Sequence, residues 1–284
     1  MNINFSSNKI SAVLKETKNY LEKYGILNPL AESEIILSSI LNLQKFEIYT
    51  KNDFIINENK IKKIQKIISE RIKRKPLEYI IGNKEFFGLK FKINSGVFIP
   101  RFETEILVET ILNFNFKNLK ILDIGTGCGN IAITLKNFNP SFKLTAIDIS
   151  EKALKLAKFN SKKILGNNSI KFIKSNLFEN IKEKFDIIVS NPPYIPTKEI
   201  ENLMPEVKFF EPKSAIDGKE DGLFFYKKIL SETHKFLKKD GFIFFEMNPF
   251  LYKKIYKLFV EYKIENIKIV NDLLGKPRVI YGNL

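Results

Sequence analysis

From residue 120 to residue 281 short apolar runs alternate with amphipathic stretches, and this alternation constrains the fold more than any other feature of the chain. Strands that are apolar along their whole length must be covered on both faces, and helices between successive strands supply that cover. The expected strands are Lys120–Ile124, Lys143–Ile147, Ile170–Lys174, Phe185–Ser190, Phe242–Met247, Ile264–Val270 and Arg278–Tyr281. A helical period of apolar residues predicts helices over Glu103–Phe114, Asn130–Asn137, Glu151–Ile164, Gly222–Leu237 and Phe250–Tyr262. Only Asn271 to Pro277 joins the last two strands, which is too short for a parallel crossover, so these two are expected to be antiparallel. The class is α/β with a mostly parallel sheet.

The 284 residues leave room for a second, smaller domain ahead of this sheet. Ile10, Val13, Leu14, Leu21 and Tyr24 follow a helical period that stops at Gly25, and Asn28–Pro29 starts a second helix with a cap and a first-turn proline. A third helix carries Ile61, Ile64, Ile67, Ile68 and Ile72 as a stripe among the lysines of Lys60–Lys75 and ends before Pro76. Residues 1–76 therefore read as a small all-helical domain. Residues 77–102 read as a linker and a β-hairpin, from Phe86, Phe87, Leu89, Phe91, Ile93, Val97, Phe98 and Ile99 broken by Gly88 and Asn94–Gly96. Residues 103–284 form the sheet domain.

Cys128 is the only cysteine and His234 the only histidine. Together they exclude a disulfide framework, a Cys/His zinc site and any chemistry needing several histidines, and no metal is expected. No apolar run reaches the roughly 18 residues of a membrane span, and Met1–Tyr20 has no signal-peptide core, so the expectation is a cytoplasmic protein with no membrane partner. The net charge of +15 invites a nucleic-acid reading, but only four of the 47 basic residues are arginine: Arg71, Arg74, Arg101 and Arg278. The charge is spread along the chain, and lysine-rich drift does not supply the planar forks that phosphate recognition favours.

The segment Ile121–Asn130 reads as a strand, a turn with glycines at 125, 127 and 129, and a helix start. Glycines at alternate positions let backbone approach a ligand, and Asp148, ending the next strand, can accept both hydroxyls of a ribose. The spacing departs from the dinucleotide fingerprint and fits S-adenosylmethionine better; the alternative is a plain tight turn with a capping Asp. The fourth strand runs into Asn191-Pro192-Pro193-Tyr194. A rigid Pro-Pro backbone can fix a carbonyl and the Asn191 oxygen as paired acceptors for a planar –NH2 group, with Tyr194 covering it beside a sulfonium methyl. This chemistry leaves glutamine amides, adenine amines and guanine amines as acceptors of the methyl group.

Pro76–Gly88 and Phe98–Glu105 resemble the linker and hairpin of the peptide chain release factor glutamine methyltransferases, and the likeness continues through Asp123–Gly129, Asp148, Asn191–Tyr194, Glu211–Pro212, Asp221–Leu223 and Asp272–Lys276. The resemblance implies a Rossmann-like, seven-stranded methyltransferase sheet with a helical domain that helps to grip the release factor. It implies methyl transfer from S-adenosylmethionine to N5 of the glutamine in the Gly-Gly-Gln motif. It places Gly125, Thr126, Gly127, Cys128 and Gly129 around the methionine end of the cofactor, Asp148 on its ribose, and Asn176 and Leu177 at its adenine. Asn191 would serve both cofactor and substrate. Asn191 and Pro192 would grip the amide, with Pro193 and Tyr194 beside it, and Arg101 and Glu105 would shape the substrate mouth or form a salt bridge from hairpin to domain. The expected partner is a release factor, with no stable nucleic-acid partner and a monomeric chain.

Three positions depart from the family pattern: Asn176 stands where Asp is usual, Phe102 where Pro is usual, and Glu246-Met247-Asn248-Pro249 replaces a Glu-Ile-Gly turn. An amino-methyltransferase acting on a base of RNA or DNA is the alternative enzyme, and a silent scaffold for a release factor or ribosome is the non-enzymatic one. The first would need an Arg-rich, base-reading face; the second has no need of the glycine turn, Asp148 and Asn191 together.

Overall fold

The computed structural model describes residues 3–114, 116–167 and 169–284, so Met1 and Asn2 of the expected helical domain lie outside the described residues. The chain forms two compact units. One takes Met1–Gly82 and Met204–Phe210; the other takes Asn83–Leu203 and Glu211–Leu284.

The first unit holds α1 (Ile10–Lys23), α2 (Pro29–Leu41), α3 (Lys45–Thr50), α4 (Glu58–Arg71) and α5 (Leu77–Ile81). The expected Ile stripe is its core: Ile61, Ile64, Ile67 and Ile68 are buried with Ile10, Val13, Leu21, Ile36 and Leu37, while the lysines of α4 face out. Two short helices, α3 and α5, escape the periodicity argument because one or two turns hold too few apolar positions to show a period. Arg71 and Arg74 close this unit around a carboxylate from far along the chain. Arg71 donates Nε to Glu32 at 2.6 Å and Nη2 to Glu206 at 2.9 Å, and Arg74 donates to the second Glu206 oxygen at 2.8 Å.

In the second unit β1 (Asn83–Phe86) and β2 (Leu89–Lys92) make the hairpin, turning at Phe87–Gly88. It is shorter than expected, because residues 93–100 run on as loop. Then follow α6 (Thr104–Leu112), β3 (Lys120–Ile124), α7 (Asn130–Phe138), β4 (Lys143–Asp148), α8 (Glu151–Leu165), β5 (Ile170–Lys174) and β6 (Phe185–Ser190). After a 3-10 turn over Thr197–Asn202 comes α9 (Pro205–Phe210), the segment that belongs to the helical unit. The chain returns through α10 (Phe224–Phe236), β7 (Leu237–Glu246), α11 (Tyr252–Glu261), β8 (Glu265–Asn271) and β9 (Pro277–Asn283).

The seven-stranded sheet has the order β5-β4-β3-β6-β7-β9-β8. β3 to β7 are parallel, and β9 is antiparallel to both β7 and β8, as the short last connection requires. Leu122, Ile188, Ile243 and Phe245 anchor a core shared with Tyr226 and Ile229 of α10 and Ile255 and Phe259 of α11. Strand order reverses between β3 and β6, and in open α/β sheets the crevice at such a switch point holds the ligand.

Without Glu206 the Arg74 guanidinium would lose its carboxylate and Arg71 would keep Glu32 alone, with buried donors left unsatisfied. Glu206→Ala should therefore destabilise the helical unit by about 3 kcal/mol, read by urea unfolding with far-UV circular dichroism.

Candidate active site

Ile124 of β3 pairs with Ile147 of β4 on one side and Ser190 of β6 on the other, so the loops after these three strands leave the sheet at one level. Between them lies a cavity of about 390 Å3, a size suited to a small-molecule ligand. Its walls include Gly125–Gly127, Asp148, Ser175–Leu177 and Asn191–Pro193, with Phe98 and Thr104 from the segment after the hairpin.

The glycine loop is built as the spacing requires. Gly125, Gly127 and Gly129 all have positive φ, at 75°, 57° and 88°. A Cβ on Gly125 or Gly127 would meet no protein atom within 4 Å, so their bare backbone lines open space. Gly129 is different: a Cβ there would come within 2.6 Å of Ile133 and 3.2 Å of Ala157 on α8, so it serves the packing of the loop against helices. Asp148 holds the loop, accepting from Gly127 N at 2.9 Å and Ser150 N at 2.8 Å, one bond on each oxygen. Each oxygen keeps a lone pair for a further donor. Behind the loop Asp123 is fully buried; one oxygen accepts from Thr126 Oγ1 at 2.6 Å and Ala132 N at 3.3 Å, and the other has no partner. Burial pushes its carboxyl up to about 7 against those hydrogen bonds.

Asn176 donates its amide nitrogen to Glu179 at 2.7 Å, which leaves its oxygen as the free acceptor. Leu177 adopts φ 48° and turns the chain beside it, and Ser175 braces this turn by donating to the Leu177 carbonyl at 2.7 Å.

Asn191 donates Nδ2 to Thr104 Oγ1 at 3.2 Å, so its carbonyl oxygen is likewise the free end of the amide. Ser190 Oγ donates to the Ile124 carbonyl at 2.8 Å and ties the start of this loop to the start of the glycine loop. Gly218 and Gly222 hold the other end. A Cβ on Gly218 would lie 2.8 Å from Tyr194 Cα, and one on Gly222 would lie 2.4 Å from the Tyr194 carbonyl oxygen.

Five expected site residues do not reach the cavity wall. Cys128 is buried behind the glycine loop, where desolvation pushes its thiol up to about 12, and Gly129 packs against helices as described. The Tyr194 ring is half-buried against the core, and desolvation followed by the charge of Glu246 raises its hydroxyl well above the ordinary tyrosine range. Arg101 forms the salt bridge of the two weighed roles. It pairs with Glu211, donates to the Ile99 carbonyl at 3.0 Å and lies 4.6 Å from the centroid of Phe98, which itself lines the cavity. Glu105 accepts from Phe87 N at 2.8 Å and so ties the start of α6 to the hairpin turn.

Three further buried groups stand beside the site without any local mark in the sequence. Asn160 on α8 is fully buried and bridges Lys92 of the hairpin to the Cys128 carbonyl, at 2.8, 3.1 and 3.0 Å. Thr104 is 1% exposed, and Glu246, at the end of β7, is 2% exposed. A single Asn on a helix face and a Glu ending a strand carry no local signal of such duties. Burial pushes the Glu246 carboxyl up to about 7, with the Thr104 hydroxyl pulling the other way.

Between the ordinary carboxyl pKa and about 7, Asp123 and Glu246 keep a proton in the folded protein that the unfolded chain has lost, so their contribution to stability is full below the ordinary carboxyl pKa and is lost as pH rises through about 7. Glu246→Gln cannot ionise, so its thermal midpoint relative to wild type should rise between about pH 5 and about pH 8, measured by circular dichroism.

The chain is similar to known proteins along most of its length. A family model described as the PrmC N-terminal domain matches residues 12–82, and one described as the methyltransferase small domain matches residues 88–210. The chain is 42% identical to the release factor glutamine methyltransferase of Fusobacterium nucleatum, over 94% of this chain and 77% of that one. It is 39% identical to the release factor glutamine methyltransferase of Thermodesulfovibrio yellowstonii, over 88% and 91% respectively. Among solved structures, a methyltransferase from Pyrococcus furiosus superposes with a TM-score of 0.54 at 20% identity, covering 69% of this chain and 89% of that one. At that identity the likeness is one of fold.

Proposed function

Since this chain belongs to the release factor glutamine methyltransferase family, we propose that it transfers a methyl group from S-adenosylmethionine to N5 of the glutamine in the Gly-Gly-Gln motif of peptide chain release factors. The observation that carries this reading is the Asn191 amide, whose nitrogen is bound to Thr104 and whose oxygen is free beside Pro192 at the cavity wall.

The cavity suits the cofactor. The bare backbone of Gly125 and Gly127 makes a cradle that any Cβ would fill, and it takes the methionine end together with Thr126. Asp148 keeps two lone pairs for the ribose hydroxyls. The free oxygen of Asn176 would accept from the adenine amine, with Leu177 lining the same part of the cavity, so the departure from Asp at 176 keeps the acceptor and loses only the charge. Cys128 and Gly129 support this cradle from behind.

When bound, S-adenosylmethionine supplies an electrophilic methyl on a cationic sulfur. The rest of the task falls to this chain. An amide nitrogen is a poor nucleophile because its lone pair is delocalised into the carbonyl. Asn191 Oδ1 and the Pro192 carbonyl accept its two N–H bonds, which raises electron density on nitrogen and fixes the direction of attack. Orientation of this kind is worth up to about 7–11 kcal/mol. As the C–N bond formed, the methyl–sulfur bond would break and the sulfonium would leave as a neutral thioether; the surplus proton would then pass from the nitrogen to water, so no strong base is needed. Pro193 packs beside the amide, while Tyr194 holds the loop from the core side and Arg101 acts through Phe98.

Methylation of a nucleic-acid base is the second reading, favoured by the +15 charge. Against it, all four arginines are engaged by carboxylates: Arg71 and Arg74 by Glu206, Arg101 by Glu211, Arg278 by Asp272. No arginine fork is left for phosphate or base edges.

The test is methyl transfer from labelled S-adenosylmethionine to purified release factor, with peptide mass mapping. Label on the Gly-Gly-Gln glutamine, absent when that glutamine is Asn and lost by at least about 100-fold in Asn191→Ala, is expected. Label on RNA or DNA and none on any release factor would overturn the reading.

A further inference from the structure

An asparagine can grip an –NH2 group only with its oxygen; rotated by half a turn, it presents its own –NH2 and repels the substrate amide. Something must therefore select the orientation of the Asn191 amide. We propose that Thr104 and Glu246 are positioning residues that set this orientation, with the buried Glu246 carboxylate accepting the Thr104 proton so that Thr104 Oγ1 can only accept from Asn191 Nδ2. The role rests on the proposed reaction at the same cavity.

The geometry supports each link. Asn191 Nδ2 lies 3.2 Å from Thr104 Oγ1. A threonine hydroxyl both donates and accepts, so by itself it would satisfy either face of the amide. Its selectivity depends on where its own proton goes. Thr104 and Glu246 come from different elements, the first turn of α6 and the end of β7, yet both are nearly fully buried and face one another. Among the described residues Glu246 Oε2 is buried without a hydrogen-bond partner, and the Tyr226 hydroxyl donates to the Glu246 backbone carbonyl at 2.8 Å rather than to the carboxylate. The remaining charged neighbours are Glu103, which opposes ionisation, and Arg278 and Arg101, which favour it. Tyr194 and Tyr226 also face it, and both phenols are held neutral by burial.

The two protonation states of Glu246 have opposite consequences. As a carboxylate it only accepts, the Thr104 proton points to it, and the Asn191 oxygen is left for substrate. As a carboxylic acid it can donate to Thr104 Oγ1, which frees the Thr104 proton to bond the Asn191 oxygen and favours the wrong face. Turnover should then fall as pH drops through the range where burial has placed this carboxyl, about 7.

The experiment compares wild type, Thr104→Ser, Thr104→Val and Glu246→Gln by methyl transfer to release factor across pH, and by the side-chain 15N–H2 resonances of Asn191. Thr104→Val should lower kcat by about 10- to 100-fold, with Thr104→Ser restoring it. The acid limb of the wild-type kcat profile should be absent from Glu246→Gln. The Asn191 amide resonances should shift in both Thr104→Val and Glu246→Gln. A packing role alone would lower stability and leave the acid limb and the rescue by serine without explanation. Wild-type kcat in Thr104→Val, or an unchanged acid limb in Glu246→Gln, overturns the proposal while the parent reaction stands. If wild type methylates no release factor, the parent reading fails, and unmoved Asn191 resonances in the two variants would overturn the relay on their own.

Discussion

The pairing of β3 with β6 is the contact on which the rest of the site depends. These strands are far apart in sequence, and only their parallel register brings the glycine loop and the Asn-Pro-Pro-Tyr loop to one level. The hydrogen bond from Ser190 Oγ to the Ile124 carbonyl locks that level at the point where the two loops diverge. With β4 on the other side of β3, Asp148 joins the same rim. A one-residue slip in either pairing would turn each loop's side chains to the opposite face and dissolve the cavity.

Around this rim the protein buries polar groups that a purely structural core would avoid. Asp123, Asn160, Thr104 and Glu246 are all nearly inaccessible, and among the described residues Asp123 and Glu246 each carry an oxygen with no partner. Such groups cost stability, and their cluster marks where packing has been subordinated to shaping a ligand site. Away from the site the buried charges are paired, as in the Arg71–Glu206–Arg74 arrangement. The same economy explains why a strongly basic protein offers no arginine face: its few guanidiniums tie distant segments together, and the lysines remain as solvated charge.

Architecture was legible wherever a period was long enough to read. The parallel strands, the antiparallel final pair and the Ile-striped helix follow from apolar spacing, because burial acts on every turn or every second residue and leaves a repeating trace. The segment from 195 to 221 was illegible. Its 3-10 turns and α9 are too short to show a period, and nothing local reveals that Glu206 belongs with Arg71 and Arg74.

Of the residues singled out from sequence, those that depend on backbone freedom or chain direction do line the cavity: Gly125 and Gly127, Asp148, and Asn191 with its prolines. Their residue types and their places at strand ends are local properties. What only the tertiary structure decided is which side chains face inward and what holds them. Tyr194 turns to the core, Arg101 goes to Glu211, Gly129 supports helix packing, and Thr104 stands between the Asn191 amide and Glu246. Those outcomes depend on hydrogen bonds and contacts between elements many residues apart, and a hydrogen bond across the fold leaves no periodic signature in the chain that makes it.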